Sequence, residues 1–223
     1  MASTIYLIRH AESVHNVSKD FSHRDPPLTE LGIAQASALG KSLPDLASVA
    51  IVLTSPLTRT LETTLAAFSH ILDKQSVGDS GIDGGARLVL DPDLQERSDL
   101  PCDTGSDRAT LEEKNPNLDF GVLLGKWYIK NGAHAADDAA VKGRAKAVRE
   151  RLHSLVEKLE QGGGAAEGKG DVVVVTHGVF MKFLAEDETI DLPKAGWKAY
   201  TVRKQEGGEV TLLPVEQVEV MSR

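Results

Sequence analysis

Four short stretches of this chain are apolar or aromatic at every position: Ile5 to Ile8, Ala50 to Leu53, Leu88 to Leu90 and Val172 to Val175. A strand that alternates apolar and polar side chains covers one face of a sheet, whereas one that is apolar throughout is buried on both faces. Helices are the usual cover, and helical patterns lie between these runs. Thr29 is placed to cap a helix reaching about Leu43, with Pro44 beyond it. Pro56 stands where a second helix would begin, running from about Leu57 to Leu72. From Val141, the residues Ala145, Val148, Leu152, Leu155 and Leu159 recur at spacings of four and three. That is the pattern of an amphipathic helix, here ending at Gly162-Gly163-Gly164. Ala199 to Arg203 and Val210 to Leu213, around Glu206-Gly207-Gly208, read as a hairpin. The alternation predicts an α/β fold, a three-layer sandwich with a mostly parallel central sheet and helices on both faces.

Length and charge narrow the classes. A chain of 223 residues suits one domain over 1–223, with residues from about 99 to 132 as an insertion that holds Trp127 and Tyr128. Those aromatics belong either to a lid over a site or to ordinary core. A net charge of −8 argues against a nucleic-acid partner, which needs a basic face. An anionic ligand must then be drawn by a local cationic pocket against the overall field. The single cysteine, Cys102, allows no internal disulfide and fits a reducing, cytoplasmic compartment. The chain enters its first strand with no basic-then-apolar leader, and no apolar run approaches the roughly 20 residues that cross a bilayer. No membrane partner is therefore expected, and oligomeric state leaves no signal. Gly78 to Gly85 and Gly162 to Gly170 read as surface loops; neither joins a strand directly to a helix N-terminus, as a phosphate cradle would.

The polar residues at the strand ends carry the chemistry. Arg9-His10 follows the first apolar run and Thr176-His177-Gly178 follows the last. Open parallel sheets bind ligands outside the carboxyl ends of their strands, so both histidines are expected at one crevice. An imidazole is a nucleophile, and a guanidinium fork holds a phosphate bidentately. The combination points to phosphoryl transfer through a phosphohistidine on a small phosphorylated molecule. Free histidine titrates near about 6.5, and neighbouring guanidiniums push that value down, keeping His10 unprotonated. Arg59, in the first turn of a helix after a strand, would share the positive end of the helix dipole. Gly178 would let backbone approach a ligand closely. His10 and His15 are five apart, outside helical ligand spacing, and no HExxH or paired CxxC occurs, so no metal and no cofactor are expected.

These residues also carry a resemblance. Arg9-His10 with Glu12-Ser13 and Asn16 resembles the N-terminal signature of the histidine phosphatase superfamily, which includes the cofactor-dependent phosphoglycerate mutases. Pro27-Leu28-Thr29-Glu30-Leu31-Gly32, Thr54-Ser55-Pro56-Leu57-Thr58-Arg59-Thr60, Leu94-Gln95-Glu96-Arg97 and Val175-Thr176-His177-Gly178 continue it in order, over about residues 4 to 185. The run Glu96 to Gly105 resembles a fungal, phosphomutase-like branch. The resemblance implies a phosphoglycerate mutase-like fold. It makes His10 the nucleophile, Arg9 and Arg59 a phosphate clamp, and His177 a donor to a phosphate oxygen. Glu96 becomes the general acid and base, Asn16 a phosphate-pocket amide, and Arg97 a substrate contact. A phosphate dianion beside Glu96 favours its protonated form, so the acid is expected mainly in the substrate complex. Ser13, His15 and Ser55 lie close by without an assigned role.

Three functions follow from this reading. The first is metal-independent phosphomonoester hydrolysis. The second is a phosphomutase, although mutases similar to this chain carry extra basic residues after the acid, where this chain has Asp99-Leu100-Pro101-Cys102-Asp103-Thr104-Gly105. The third is a phosphatase fold redeployed for binding or non-phosphoryl chemistry. The secreted acid-phosphatase pattern fits poorly, because Ala11-Glu12-Ser13 and Gly178 replace its residues. The acidic insertion suggests a substrate not highly anionic beyond its phosphate, with Trp127, Tyr128 and Trp197 as candidates to line a ring-binding pocket.

Overall fold

A computed structural model describes residues 3–162 and 168–215. The helical and strand elements run β1 (Ile5–Arg9), α1 (Val14–Ser18), α2 (Glu30–Leu39), β2 (Val49–Thr54), α3 (Thr58–Phe68), α4 (Lys74–Val77) and β3 (Arg87–Leu90). They continue with α5 (Arg108–Lys114), α6 (Asp138–Glu160), β4 (Asp171–Thr176), α7 (Gly178–Ala185), β5 (Trp197–Lys204) and β6 (Val210–Pro214). One six-stranded sheet has the order β3-β2-β4-β1-β5-β6. Its first four strands are parallel, and β5 and β6 add antiparallel at one edge. The expected α/β sandwich is therefore what forms.

Three of the four all-apolar runs are buried on both faces, as their composition requires; the fourth, Leu88 to Leu90, lies on edge strand β3, where Leu88 and Val89 are only partly buried. Ile5, Leu7, Val172 and Val174 face a core shared with α6 and α7. Tyr6, Ile8, Val173 and Val175 face the opposite core, with Leu39 of α2 and Ala67 and Phe68 of α3. Helix α6 begins three residues before Val141, where Asp137 accepts from Ala140 N, and buries Val141, Ala145, Val148, Leu152, Val156 and Leu159. Leu155 lies at the margin of that stripe, partly buried. Gly163 and Gly164, expected at its end, lie outside the described residues.

Three boundaries differ from expectation. Thr29 caps α2 by accepting from Gly32 N, but the helix ends at Leu39 rather than near Leu43. At Gly40 a Cβ would stand 2.3 Å from the carbonyl oxygen of Ala67, so α2 crosses α3 there at a spacing only glycine permits. Helix α3 starts at Thr58 with Pro56 outside it, and gives way after Phe68 to a single 3₁₀ turn, Ser69–Ile71. The loop Gly78 to Gly85 packs tightly, because a Cβ on Gly81 or Gly85 would meet backbone of Asp73 or Leu72 within 2.6 Å. It precedes β3 and so lies at the end of the sheet away from the strand exits. No helix among the described residues is long and apolar enough to cross a membrane.

The insertion splits in two. Leu111, Phe120, Leu123 and Trp127 pack with Leu57, Leu61 and Leu90 in a third core cluster, with Tyr128 partly buried against it. Of the two readings of Trp127, ordinary core is the one that forms. The start of the insertion turns back instead to the strand exits.

Candidate active site

Strands β2, β4 and β1 are neighbours, so their carboxyl ends bring Ser55, His177 and His10 together. The exits are pinned by backbone bonds, His10 N to Thr176 O at 3.0 Å and Ser55 N to Val175 O at 3.1 Å. The His10 and His177 rings lie 5.3 Å apart between centroids. A cleft of about 230 Å³ opens beside them, lined among others by Arg9, His10, Asn16, Arg59, Glu96 and Gly178. Six residues named from the sequence thus share one cavity, with His177 buried behind it.

His10 is held in one tautomer. Its Nδ1 lies 2.7 Å from the carbonyl oxygen of Ala11, which can only accept, so Nδ1 carries the hydrogen. The Nε2 lone pair then accepts from Arg59 Nε at 3.3 Å. Burial is the main cause holding the His10 imidazole well below its ordinary range, followed by Arg59 and Lys194, with Arg9 contributing less. The sequence names the guanidiniums as the cause; desolvation outweighs them.

Arg9 is drawn out of β1 by the loop before β5. Its Nη1 donates to Asp191 Oδ1 at 3.1 Å and to the Leu192 carbonyl. Its Nε is buried without a partner among the described residues. An orphaned guanidinium donor at a cleft is costly unless a ligand accepts from it. The same loop places Lys194 in the cleft, with Ala195 N bonded to the His10 carbonyl oxygen at 3.3 Å. Ala195 takes φ of 57°, a conformation that costs a non-glycine residue about 1 kcal/mol or more. Burial and the neighbouring Arg9 and Arg59 lower the Lys194 ammonium to about 8.

Arg59 is 1% exposed and held from three sides. Besides His10, it donates from Nη1 to the Cys102 carbonyl oxygen at 2.7 Å and from Nη2 to Asp103 Oδ1 at 2.8 Å. A guanidinium has five N–H donors, so two remain for a ligand. Asp103 is fixed in turn by Ser98 Oγ at 2.6 Å. Asp25 accepts from Thr58 N and Thr58 Oγ1, capping the helix that carries Arg59, and also from Ser106 N and Oγ in the insertion.

His15, Ser13 and Asn16 form a closed ring of hydrogen bonds. Ser13 Oγ donates to Asn16 Oδ1 at 3.0 Å and therefore accepts from His15 Nδ1 at 3.0 Å. That leaves His15 Nε2 to accept from Asn16 Nδ2 at 3.0 Å. The ring fixes the Asn16 amide with one N–H still unengaged. Burial and Arg59 push the His15 imidazole down to about 4, so it stays neutral. His177 pairs through Nε2 with Ser55 Oγ at 2.9 Å, and its buried Nδ1 has no partner among the described residues.

Glu96 sits against the N-terminus of α7. Oε1 accepts from Arg97 N at 2.7 Å and Phe180 N at 2.9 Å, and Oε2 accepts from Val179 N at 3.1 Å. Among the described residues, no group of three His, Cys, Asp or Glu is placed to hold a metal ion.

The profile of the histidine phosphatase superfamily (branch 1) matches residues 5–216. This chain belongs to that superfamily. A Schizosaccharomyces pombe protein named as a probable phosphatase is 28% identical over 201 residues, covering 86% of this chain and 83% of its own length. Phosphoglycerate mutase-like protein 1 of Arabidopsis thaliana is 36% identical over 147 residues, about half of each chain at 54% and 52%. Among solved structures, a mycobacterial glucosyl-3-phosphoglycerate phosphatase superposes with a TM-score of 0.57 at 19% identity, covering 96% of this chain and 97% of that one. The alpha-ribazole phosphatase of Shigella flexneri gives 0.55 at 19%, covering 95% of each. The two structures show a shared fold.

Within this histidine phosphatase, several residues sit otherwise than the sequence suggests. Arg97 does not line the cleft. Its Nη2 pairs with Asp138 at 2.6 Å, its Nε donates to the Ala136 carbonyl oxygen, and it stands over the Phe183 ring. Gly178 lines the cleft and also makes room for the Arg9 guanidinium, because a Cβ there would lie 3.0 Å from Arg9 Cζ and Nε. In the first turns of α3 and α7, Thr58 N is taken by Asp25, and Val179 N and Phe180 N by Glu96, so these N–H groups are not offered to an anion. Trp127 and Trp197 lie away from the cleft, Trp197 edge-on to Tyr6 and bonded to Ser42 Oγ. Sequence reasoning missed Asp25, Asp103 and Lys194. The Pro193-Lys194-Ala195-Gly196 turn just before a strand is the one local signal that would have found any of them.

Glutamine at position 96 is not a silent isostere in this setting. An amide must turn its NH₂ toward at least one backbone N–H, leaving two donors face to face at a cost of about 1–3 kcal/mol. Glu96→Gln is expected to lower the melting temperature by roughly 2–12 °C, measured by calorimetry. An unchanged melting temperature would show that this carboxylate does not anchor α7.

Proposed function

We propose that this protein is a phosphomonoester hydrolase working through a phosphohistidine at His10 Nε2. The observation that carries the reading is the fixed tautomer. Nδ1–H is engaged by Ala11, so Nε2 is unprotonated beside the cleft lined by Arg9, Arg59 and Lys194; its lone pair, bonded to Arg59 Nε at 3.3 Å, is freed for attack as that donor turns to the phosphoryl oxygen. Nε2 attacks phosphorus as the bond to the leaving oxygen breaks, and Glu96 donates the proton that the alcohol takes away. Water then gives that proton back to Glu96 while its oxygen attacks phosphorus. The N–P bond breaks, inorganic phosphate leaves, and Nε2 recovers its lone pair. Arg9, Arg59, Asn16 and His177 donate to the equatorial oxygens, where charge gathers. The guanidiniums supply the neutralisation, so no metal is assigned a role. The phosphatases among the relatives and structural neighbours favour a small phosphorylated substrate and hydrolysis over transfer.

A mutase is the second reading, favoured by the phosphoglycerate mutase-like relative. Against it, the basic residue after the acid, Arg97, is turned away onto Asp138. The test is phosphate release from p-nitrophenyl phosphate and a panel of small phosphomonoesters, with and without a chelator. Turnover unaffected by the chelator is expected. A folded protein inert across the panel overturns the hydrolase reading.

Lys194 gives this site a pH signature. Its lowered value means that the cation is present below about pH 8 and lost above it. Arg9, Arg59, Lys19 and Glu96 are the charged groups that act on it. A single ammonium a few ångströms from phosphate at a partly buried site strengthens anion binding by roughly tenfold. Lys194→Met is expected to weaken competitive inhibition by phosphate to that extent at pH 6.5. The ratio to wild type, which cancels the ligand's own ionisation, should approach one well above pH 8. A ratio that is constant with pH would sink this role.

A further inference from the structure

The outer rim of the active-site cleft is apolar. Phe21, Leu100 and Val179 line it, and they are 46%, 45% and 43% exposed. Single exposed apolar residues are ordinary on any surface, but three sharing one concave wall are not scattered. They arrive from separate places: the segment after α1, the turn after the Glu96 motif, and the first turn of α7. The first two are tied together, because Cys102 N donates to the Phe21 carbonyl oxygen at 3.2 Å. The Phe21 ring stands 6.3 Å from that of His15, tilted by 58°, which continues the aromatic wall inward toward His10. Such a wall has no use for a phosphoryl group, whose partners lie deeper.

The charges of the rim point the same way. Beyond Arg9, Arg59 and Lys194, which serve the phosphate, the remaining cation of the cleft is Lys182, and it is held by the Glu188 carbonyl oxygen at 2.9 Å. The Asp191 carboxylate stands at the rim on Arg9 and repels a second anion. At about 230 Å³ the cleft is smaller than the roughly 300–1,000 Å³ of pockets for drug-sized ligands, so it suits a phosphoryl group with one compact substituent.

We infer that this rim binds the leaving group, and that the preferred substrate is a phosphomonoester of an apolar, ring-bearing alcohol rather than a compact polyanion. The inference rests on the hydrolase reading for its chemistry, but not for its geometry. Rings come from Phe21 and His15, not from the tryptophans that the sequence offers.

Two measurements test it. The first compares kcat/KM for 2-phenylethyl phosphate, ethyl phosphate and 3-phosphoglycerate. The first two release alcohols of similar acidity, so a difference reports binding of the ring. Burying one phenyl face predicts a preference of roughly thirtyfold for the phenylethyl ester. The phosphoglycerate should fall below it. Phe21→Ala, at an exposed position, should narrow the preference at least about threefold. The second measurement is calorimetric binding of benzylphosphonate against methylphosphonate, which requires no turnover. Tighter binding of the benzyl compound, with a negative heat-capacity change, is expected. Ratios near one in both measurements overturn the inference, as does a ring preference that Phe21→Ala leaves intact. A ring preference in binding with no ester hydrolysed supports the rim and overturns the hydrolase reading. Hydrolysis of every ester without ring preference does the reverse.

Discussion

His10→Ala is expected to lower phosphate release from p-nitrophenyl phosphate by on the order of 10⁴-fold or more, the scale seen when a covalent nucleophile is removed. The loss should be chemical rather than structural. His10 contributes one bond to its own neighbour, Ala11, and accepts one from Arg59. Without it Arg59 keeps Asp103 and the Cys102 carbonyl, and the strand exit keeps its bond from the position-10 amide to Thr176 O. The variant should therefore fold and still bind phosphate. Quenching the wild type during turnover of a phosphate-labelled substrate should trap acid-labile, alkali-stable label on the protein, and the variant should trap none. The phosphohistidine route fails if the variant keeps a tenth of wild-type activity, or if label persists on it.

That a reader of the sequence can name His10 at all follows from where it lies. Arg9, His10, Arg59, Glu96 and His177 each end or follow an apolar run that forms a strand, buried in every case but edge strand β3, and parallel strands align their exits. Val172 to Val175 is legible because all four valines are needed, two for each core. Helix α6 is legible from its spacing. What local pattern cannot carry is contact. Helix α2 stops where Gly40 meets the backbone of α3, and nothing near residue 40 announces that crossing. Adjacency does not put Arg97 beside Glu96 in the cleft: the Glu96 carboxylate turns to α7, while the next side chain turns to Asp138 on α6. The acidic insertion was read as a composition, a field that repels anions. In the structure its buried carboxylate, Asp103, is committed to a particular arginine 44 residues earlier. Asp25 likewise joins α3 to the insertion through partners 33 and 81 residues away.

Asp103→Ala is the variant expected to cost the most stability. It leaves the Arg59 guanidinium buried, at 1% exposure, without its carboxylate. Removing one partner of a buried ion pair costs about 3–5 kcal/mol, because the remaining charge stays desolvated. For a chain of this size that corresponds to a fall in melting temperature of roughly 6–20 °C. Phosphate should raise the melting temperature of the variant more than that of the wild type, because the anion takes the place of the missing carboxylate. A second substitution separates stability from chemistry. In the pair Arg59→Met with Asp103→Ala both charges are gone, and replacing a whole buried pair by apolar groups is close to neutral. That double variant should regain most of the lost melting temperature, lose the phosphate response, and remain inactive. If Asp103→Ala alone melts like the wild type, the pair does not hold Arg59 in place. If the double variant turns over substrate, Arg59 is not part of the clamp.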